Sequence, residues 1–205
     1  MTLLPIFQIV AFVYSVVLHE ISHGLMAQSL GDDTAKNSGR LTLNPLPHID
    51  MFGSIILPLL TYFGAGFMFG YAKPVPYDVR NLRDQKYGPT KVALVGPATN
   101  ILIALCFGLI LRLLSDSIAS VAMAQLFGYI VWINLTLAIF NLCPVPPLDG
   151  HWPLITLLPQ RFDEAKRFIL RYSLFLMVIF IFIIFPTIYS YTVPPLFKLI
   201  VGYYP

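Results

Sequence analysis

Leu18-His19-Glu20-Ile21-Ser22-His23-Gly24 decides how this chain is read, because it lies inside an apolar run from roughly Leu3 to Leu30. A charged group at bilayer depth costs about 2.5–3.5 kcal/mol on insertion scales, so ionisable side chains gathered in one span mark function. On a helix, positions four apart share a face, and the imidazoles of His19 and His23 can reach one metal ion. Glu20 stands beside them, where a carboxylate can take a proton from an attacking water.

Composition agrees with a membrane setting. The 205 residues are 57% hydrophobic and only 11% charged, with a mean hydropathy of +0.76. Soluble domains carry about 25% charged residues, so the expected class is an all-α polytopic membrane protein in a lipid bilayer. A formal charge of +3 is too small and too dispersed for a nucleic-acid partner, and it suits loops beside anionic lipid. Cys106 and Cys143 are the only cysteines, which excludes a disulfide scaffold and a cysteine-rich zinc site. The first apolar segment carries the His-Glu-x-x-His motif and is therefore not read as a disposable leader. With no internal repeat, residues 1–205 read as a single integral-membrane domain.

Five apolar stretches stand out, at about 4–30, 52–70, 91–114, 119–143 and 168–190. All but the second are long enough to cross a hydrocarbon core of ~30 Å as helices. The second contains Gly53, Pro58, Gly64, Gly66 and Gly70, which favour a bend over a straight span. If it crosses, the two sides carry nine and four Lys and Arg; if it re-enters its own side, the split is eleven against two. The positive-inside rule favours re-entry. The expectation is four spanning helices plus this re-entrant segment, in an inner plasma membrane, with the motif near the cytoplasmic face. Short extended pieces are expected there at Leu41-Thr42-Leu43 and at 72–77, whose prolines forbid helix, and an unwound peptide could pair with them. Pro186, Pro194 and Pro195 predict irregular or interfacial structure at the C-terminal end.

A hydrolytic zinc site usually needs a third protein ligand. Glu164, the only glutamate besides Glu20, sits in a charged stretch that reads as solvated. Asp149 closes Asn141-Leu-Cys-Pro144-Val-Pro146-Pro147-Leu-Asp149-Gly150, directly after an apolar helix. The prolines end that helix, and non-helical backbone at membrane depth is tolerated only where it is buried or lines a wet cavity. Asp149 is therefore the expected third ligand.

At these residues the chain resembles the site-2 protease family of intramembrane zinc metalloproteases, in the compact form without PDZ or CBS domains. The match runs through His19-Glu20-x-x-His23-Gly24, Gly96-Pro97-Ala-Thr-Asn100 and Asn141-x-x-Pro144-x-Pro146-x-x-Asp149-Gly150, in the family's order. One departure is Met51, where proline is expected after His48-Ile-Asp50. The resemblance implies one zinc ion held by His19, His23 and Asp149, with Glu20 as catalytic acid/base. It implies that the substrate is a protein's transmembrane segment, cut in or near the bilayer. Asn100 and Asn141 lie in matching motifs and are expected to bind substrate or to steady the site; His48, Asp50 and His151 are near-site candidates. The rival class is a catalytically silent membrane adaptor that binds transmembrane helices, which has no need of Glu20. A metal transporter would need ligands spread along a path, whereas these converge on one depth.

Overall fold

The computed structural model describes residues 3–65, 70–114 and 121–202. Among them every regular element is helical. The long helices are α1 (Leu3–Ser29), α4 (Gly88–Leu114), α5 (Val121–Leu142) and a final rod built from α8 (Ser173–Ile179), a π-helical turn (Phe180–Ile184) and α9 (Phe185–Val201). Between them lie the short α2 (Thr34–Asn37), α3 (Leu57–Ala65), α6 (His151–Leu157) and the amphipathic α7 (Asp163–Arg171). Among the described residues, four helices are long and apolar enough to cross a membrane. At 1.5 Å per residue, the 27 residues of α1 reach about 40 Å, more than a ~30 Å hydrocarbon core needs.

The second apolar stretch does not cross. It begins as a π-helical turn, Met51–Ile56, continues as α3, and comes back to its own starting point. The Tyr71 N–H donates to the Gly53 carbonyl (3.0 Å), and the Tyr71 carbonyl accepts from Ser54 Oγ (2.8 Å). Asp50 caps the entry by accepting from the Gly53 N–H at 2.6 Å. The two ends of the stretch thus meet, as a re-entrant segment requires; residues 66–69, Gly66 among them, lie outside the described residues. The two extended pieces form no ladder among the described residues: 41–43 bends, and 70–78 runs without regular structure.

The C-terminal prolines correct the sequence expectation. Pro194 and Pro195 lie inside α9, and Pro186 sits in its first turn, immediately after the π-helical turn. Proline removes a backbone donor, but in a bundle neighbouring groups and local π adjustments can absorb the loss. Here the wider turn comes just ahead of Pro186. The rod therefore continues from 173 to 201 rather than breaking near 190.

The core lies along α4 and α5, which pack on each other, on α1 at one face and on α9 at the other. The α9 face is apolar: Ala104, Leu111, Val131, Leu135, Val193, Phe197 and Val201 are buried together. Trp132 borders it and donates its Nε1–H to the Tyr189 hydroxyl at 2.8 Å, so the indole brings no unpaired donor into the bundle. The α1 face is different, and it carries the chemistry.

Candidate metal centre

Two imidazoles and one carboxylate meet where α1 passes the exit of α5. His19 Nε2 and His23 Nε2 are 3.0 Å apart and lie 3.2 and 3.4 Å from Asp149 Oδ2. A tetrahedral ion with N and O donors at about 2.0–2.1 Å holds them about 3.3 Å apart, so this triangle has the right size for zinc. Polarity makes the same point. His23 Nδ1 faces the Val92 carbonyl at 2.7 Å, which can only accept, so Nδ1 carries the hydrogen and Nε2 presents a lone pair. His19 Nδ1 meets Asn100 Oδ1 at 2.6 Å, also an acceptor. Asp149 Oδ2 is buried and receives no hydrogen bond. Three lone pairs therefore converge on one point, which costs energy unless a cation lies among them. Among the described residues this is the one cluster of three or more metal-capable side chains.

Local sequence explains the convergence. The four-residue spacing stacks both imidazoles on one face of α1. Gly96 lets α4 come up against them: a Cβ there would collide with the rings of His23 and His19. Pro97 breaks the α4 ladder at the Ala93 carbonyl, one residue from the carbonyl that orients His23. At the α5 exit the Gly150 N–H returns to the Asn141 carbonyl at 2.7 Å. A Cβ on Gly150 would strike the backbone of Leu142 and Cys143, so only glycine allows the turn that delivers Asp149.

Glu20 is held from a loop. The Val75 N–H donates to Glu20 Oε2 at 2.8 Å, laying the irregular 70–78 segment across the motif. That segment is pinned on both sides, since Lys73 N–H bonds the His48 carbonyl (2.9 Å) and Arg40 Nη2 bonds the Lys73 carbonyl (2.7 Å). Beyond it, buried Asp32 accepts from Asp78 N–H (2.7 Å), Asn81 Nδ2 (3.0 Å) and Thr34 N–H (3.1 Å). Burial alone would raise the Asp32 carboxyl, but these donors and the Thr34 hydroxyl hold it below the usual carboxylate range. Tyr77 feels the site directly: burial, with the Asp149 charge added, pushes its phenol up to about 12.

The structure thus brings His19, His23 and Asp149 together and lays Val75 against Glu20. The other candidates make hydrogen bonds outside that triangle. Asn100 has no exposure and is bonded to His19, a placement that suits steadying the site, the second of its two expected roles, rather than meeting a substrate. Asn141 is half-buried and turns Nδ2 back to the Leu137 carbonyl at 2.9 Å. His48 Nε2 reaches the Thr42 carbonyl (3.0 Å), Asp50 caps the hairpin, and His151 Nδ1 faces the Leu148 carbonyl (2.6 Å). Each of these contacts is local or between loops. Asn134 escapes sequence reasoning, because nothing in its spacing points to the motif; Ser15 shares the His19 face of α1 by its four-residue spacing, and Val75 and Tyr77 lie in the extended 72–77 piece, but their particular contacts are not legible.

A bundle of apolar helices with a His-His-Asp cluster beside a glutamate defines a membrane-embedded metallohydrolase class. The chain belongs to peptidase family M50, the site-2 protease family, whose model matches residues 7–184. It is 35% identical over 166 residues to the Bacillus subtilis protein named "Putative zinc metalloprotease YwhC", covering 78% of this chain and 72% of that one. Like-named relatives are Rip2 of Mycobacterium tuberculosis and MJ0611 of Methanocaldococcus jannaschii. Rip2 is 31% identical over 174 residues (84% of this chain, 66% of Rip2), and MJ0611 is 33% identical over 154 (72% of each). No solved structure matches the chain. The protein is therefore an integral membrane member of the site-2 protease family.

Proposed function

We propose that this protein hydrolyses peptide bonds in or near the transmembrane segments of membrane-protein substrates, using one zinc ion held by His19, His23 and Asp149. The observation that carries the reading is the triangle of convergent lone pairs, of zinc-like size, next to a glutamate on the same helix. When bound, zinc supplies Lewis acidity to the attacking water and to the scissile carbonyl. The remaining work falls to the chain. His19 and His23 contribute neutral imidazoles and Asp149 one negative charge, so the bound ion keeps net positive charge. Glu20 takes the proton from the attacking water and returns one to the leaving amine. The Val75 N–H occupies Oε2 and leaves Oε1 for that transfer.

Helical peptide bonds are shielded by their own hydrogen bonds, so the substrate has to unwind locally. The hairpin and the 70–78 segment are the proposed place for the unwound stretch. Pro74 and Pro76 have no N–H to give, so pairing along that edge would run chiefly through carbonyls. The distribution of basic residues favours a cytoplasmic-facing site in a plasma membrane. A single domain over residues 1–205 is part of the same proposal.

The test compares wild type with Glu20→Gln on a panel of transmembrane substrates in proteoliposomes. Glu20→Gln is expected to keep its zinc and lose about 10²–10⁴-fold in cleavage rate. Equal activity of the two, or a wild type inert on every helix, would favour the silent adaptor.

A further inference from the structure

Behind His19 the α1 face of α4 and α5 holds three polar side chains among apolar neighbours. Asn100 on α4 and Asn134 on α5 have no exposure, and Ser15 on α1 is 4% exposed. They form one chain of hydrogen bonds. Asn100 Nδ2 donates to Asn134 Oδ1 at 2.8 Å, and Asn134 Nδ2 donates to Ser15 Oγ at 2.9 Å. The Ser15 hydroxyl donates in turn to the Ala11 carbonyl at 2.7 Å.

The direction of every bond is forced. Backbone carbonyls can only accept. Asn134 Nδ2 also reaches the Ile130 carbonyl (2.9 Å), which fixes which end of that amide is nitrogen. Asn134 Oδ1 must then face α4, so Asn100 turns Nδ2 towards it, and a longer contact to the Ser15 carbonyl (3.4 Å) agrees. The remaining end of Asn100 is Oδ1, and it points at His19 Nδ1. An acceptor there selects the tautomer with hydrogen on Nδ1 and leaves Nε2 free. His23 needs no such chain, because a main-chain carbonyl orients it directly.

We propose that Ser15, Asn134 and Asn100 are positioning residues: a polarity relay, anchored on the carbonyls of Ala11 and Ile130, that locks His19 in its metal-binding tautomer. The inference rests on the reading of His19 as a zinc ligand. Removing Asn134 frees the Asn100 amide to rotate and offer N–H to Nδ1, which moves the ring hydrogen to Nε2 and blocks it. Interhelical adhesion alone would give the same contacts but no dependence on direction.

Two readouts separate these. The first is ring ¹⁵N NMR of the zinc-free protein at a pH where the imidazoles are neutral; four histidines make assignment tractable. Wild-type His19 is expected to carry its hydrogen on Nδ1, and Asn134→Leu to lose that preference while His23 keeps its own. The second is zinc affinity by chelator competition. Asn134→Leu should weaken zinc about 10–100-fold, the usual effect of losing a ligand's orienting partner. Asn100→Asp added to Asn134→Leu supplies, once ionised beside the metal-bound ring, a group that only accepts, and should recover most of the roughly 10–100-fold loss.

A wild-type His19 with hydrogen on Nε2 overturns the relay, and that spectrum needs no variant to fold. Zinc affinity unchanged in Asn134→Leu, or no rescue in the double variant, overturns it as well. Wild type that binds no zinc at all sinks the metal-site reading instead.

Discussion

The two faces of α4 and α5 solve different problems. Towards α9 they present Ala104, Leu111, Val131 and Leu135, which need only fit. Towards α1 they present Asn100 and Asn134, equally buried, which must be matched atom for atom. An apolar contact tolerates a lost methyl at the cost of a cavity. A buried amide tolerates neither a missing partner nor a reversed one. The first face therefore holds the bundle together, and the second holds the metal ligands in register.

Leu135→Ala should break the apolar face alone. Its side chain is 3% exposed, and truncation is expected to cost roughly 2–5 kcal/mol of stability, read by thermal unfolding, with zinc affinity unchanged. Loss of zinc affinity in that variant would mean that the two faces are not separable.

Gly96→Ala is the converse. The added methyl runs into both imidazoles, so zinc affinity should fall on the order of 10–100-fold while the apolar face stays packed. Chelator competition beside a thermal melt checks both halves.

A smaller effect is expected at Val75→Pro, which removes the N–H that holds Glu20 and reshapes the buried side chain packed beside Gly24. The flanking Pro74 and Pro76 already favour extended backbone, so the change is mild in conformation. A hydrogen bond to a charged group contributes about 1.5–3 kcal/mol, of which only the transition-state share is lost. Cleavage should slow about tenfold with zinc content intact. An unchanged rate would show that Glu20 is positioned by α1 alone.

Much of the fold was legible because the bilayer enforces it. Apolar runs of sufficient length have to be helices, and the basic residues betray the hairpin's return. The C-terminal rod was misread because Pro186, Pro194 and Pro195 break isolated helices, whereas the π-helical turn at Phe180–Ile184 needs no marker residue. The metal-facing side chains stood out for the opposite reason: His19, His23 and Asp149 are costly in their surroundings, and cost is visible in a sequence. Asn100 was visible too, but the choice between its two expected roles was not. Whether an amide faces a substrate or a histidine depends on which face of α4 meets α1, and a helix apolar on nearly every side gives no periodicity to decide it. Asn134 was illegible for the same reason; Ser15 shares the His19 face by spacing, but a lone serine in a helix carries too little cost to stand out.

The central claim is that α1 and the exit of α5 jointly hold one zinc ion. X-ray absorption at the zinc edge, on purified protein loaded with one equivalent, tests it most directly. The account predicts two imidazole nitrogens plus oxygen donors, all at about 2.0–2.2 Å, with one imidazole lost in His19→Ala. A sulfur shell near ~2.3 Å, or a zinc environment indifferent to substitution of His19, His23 and Asp149, would contradict it.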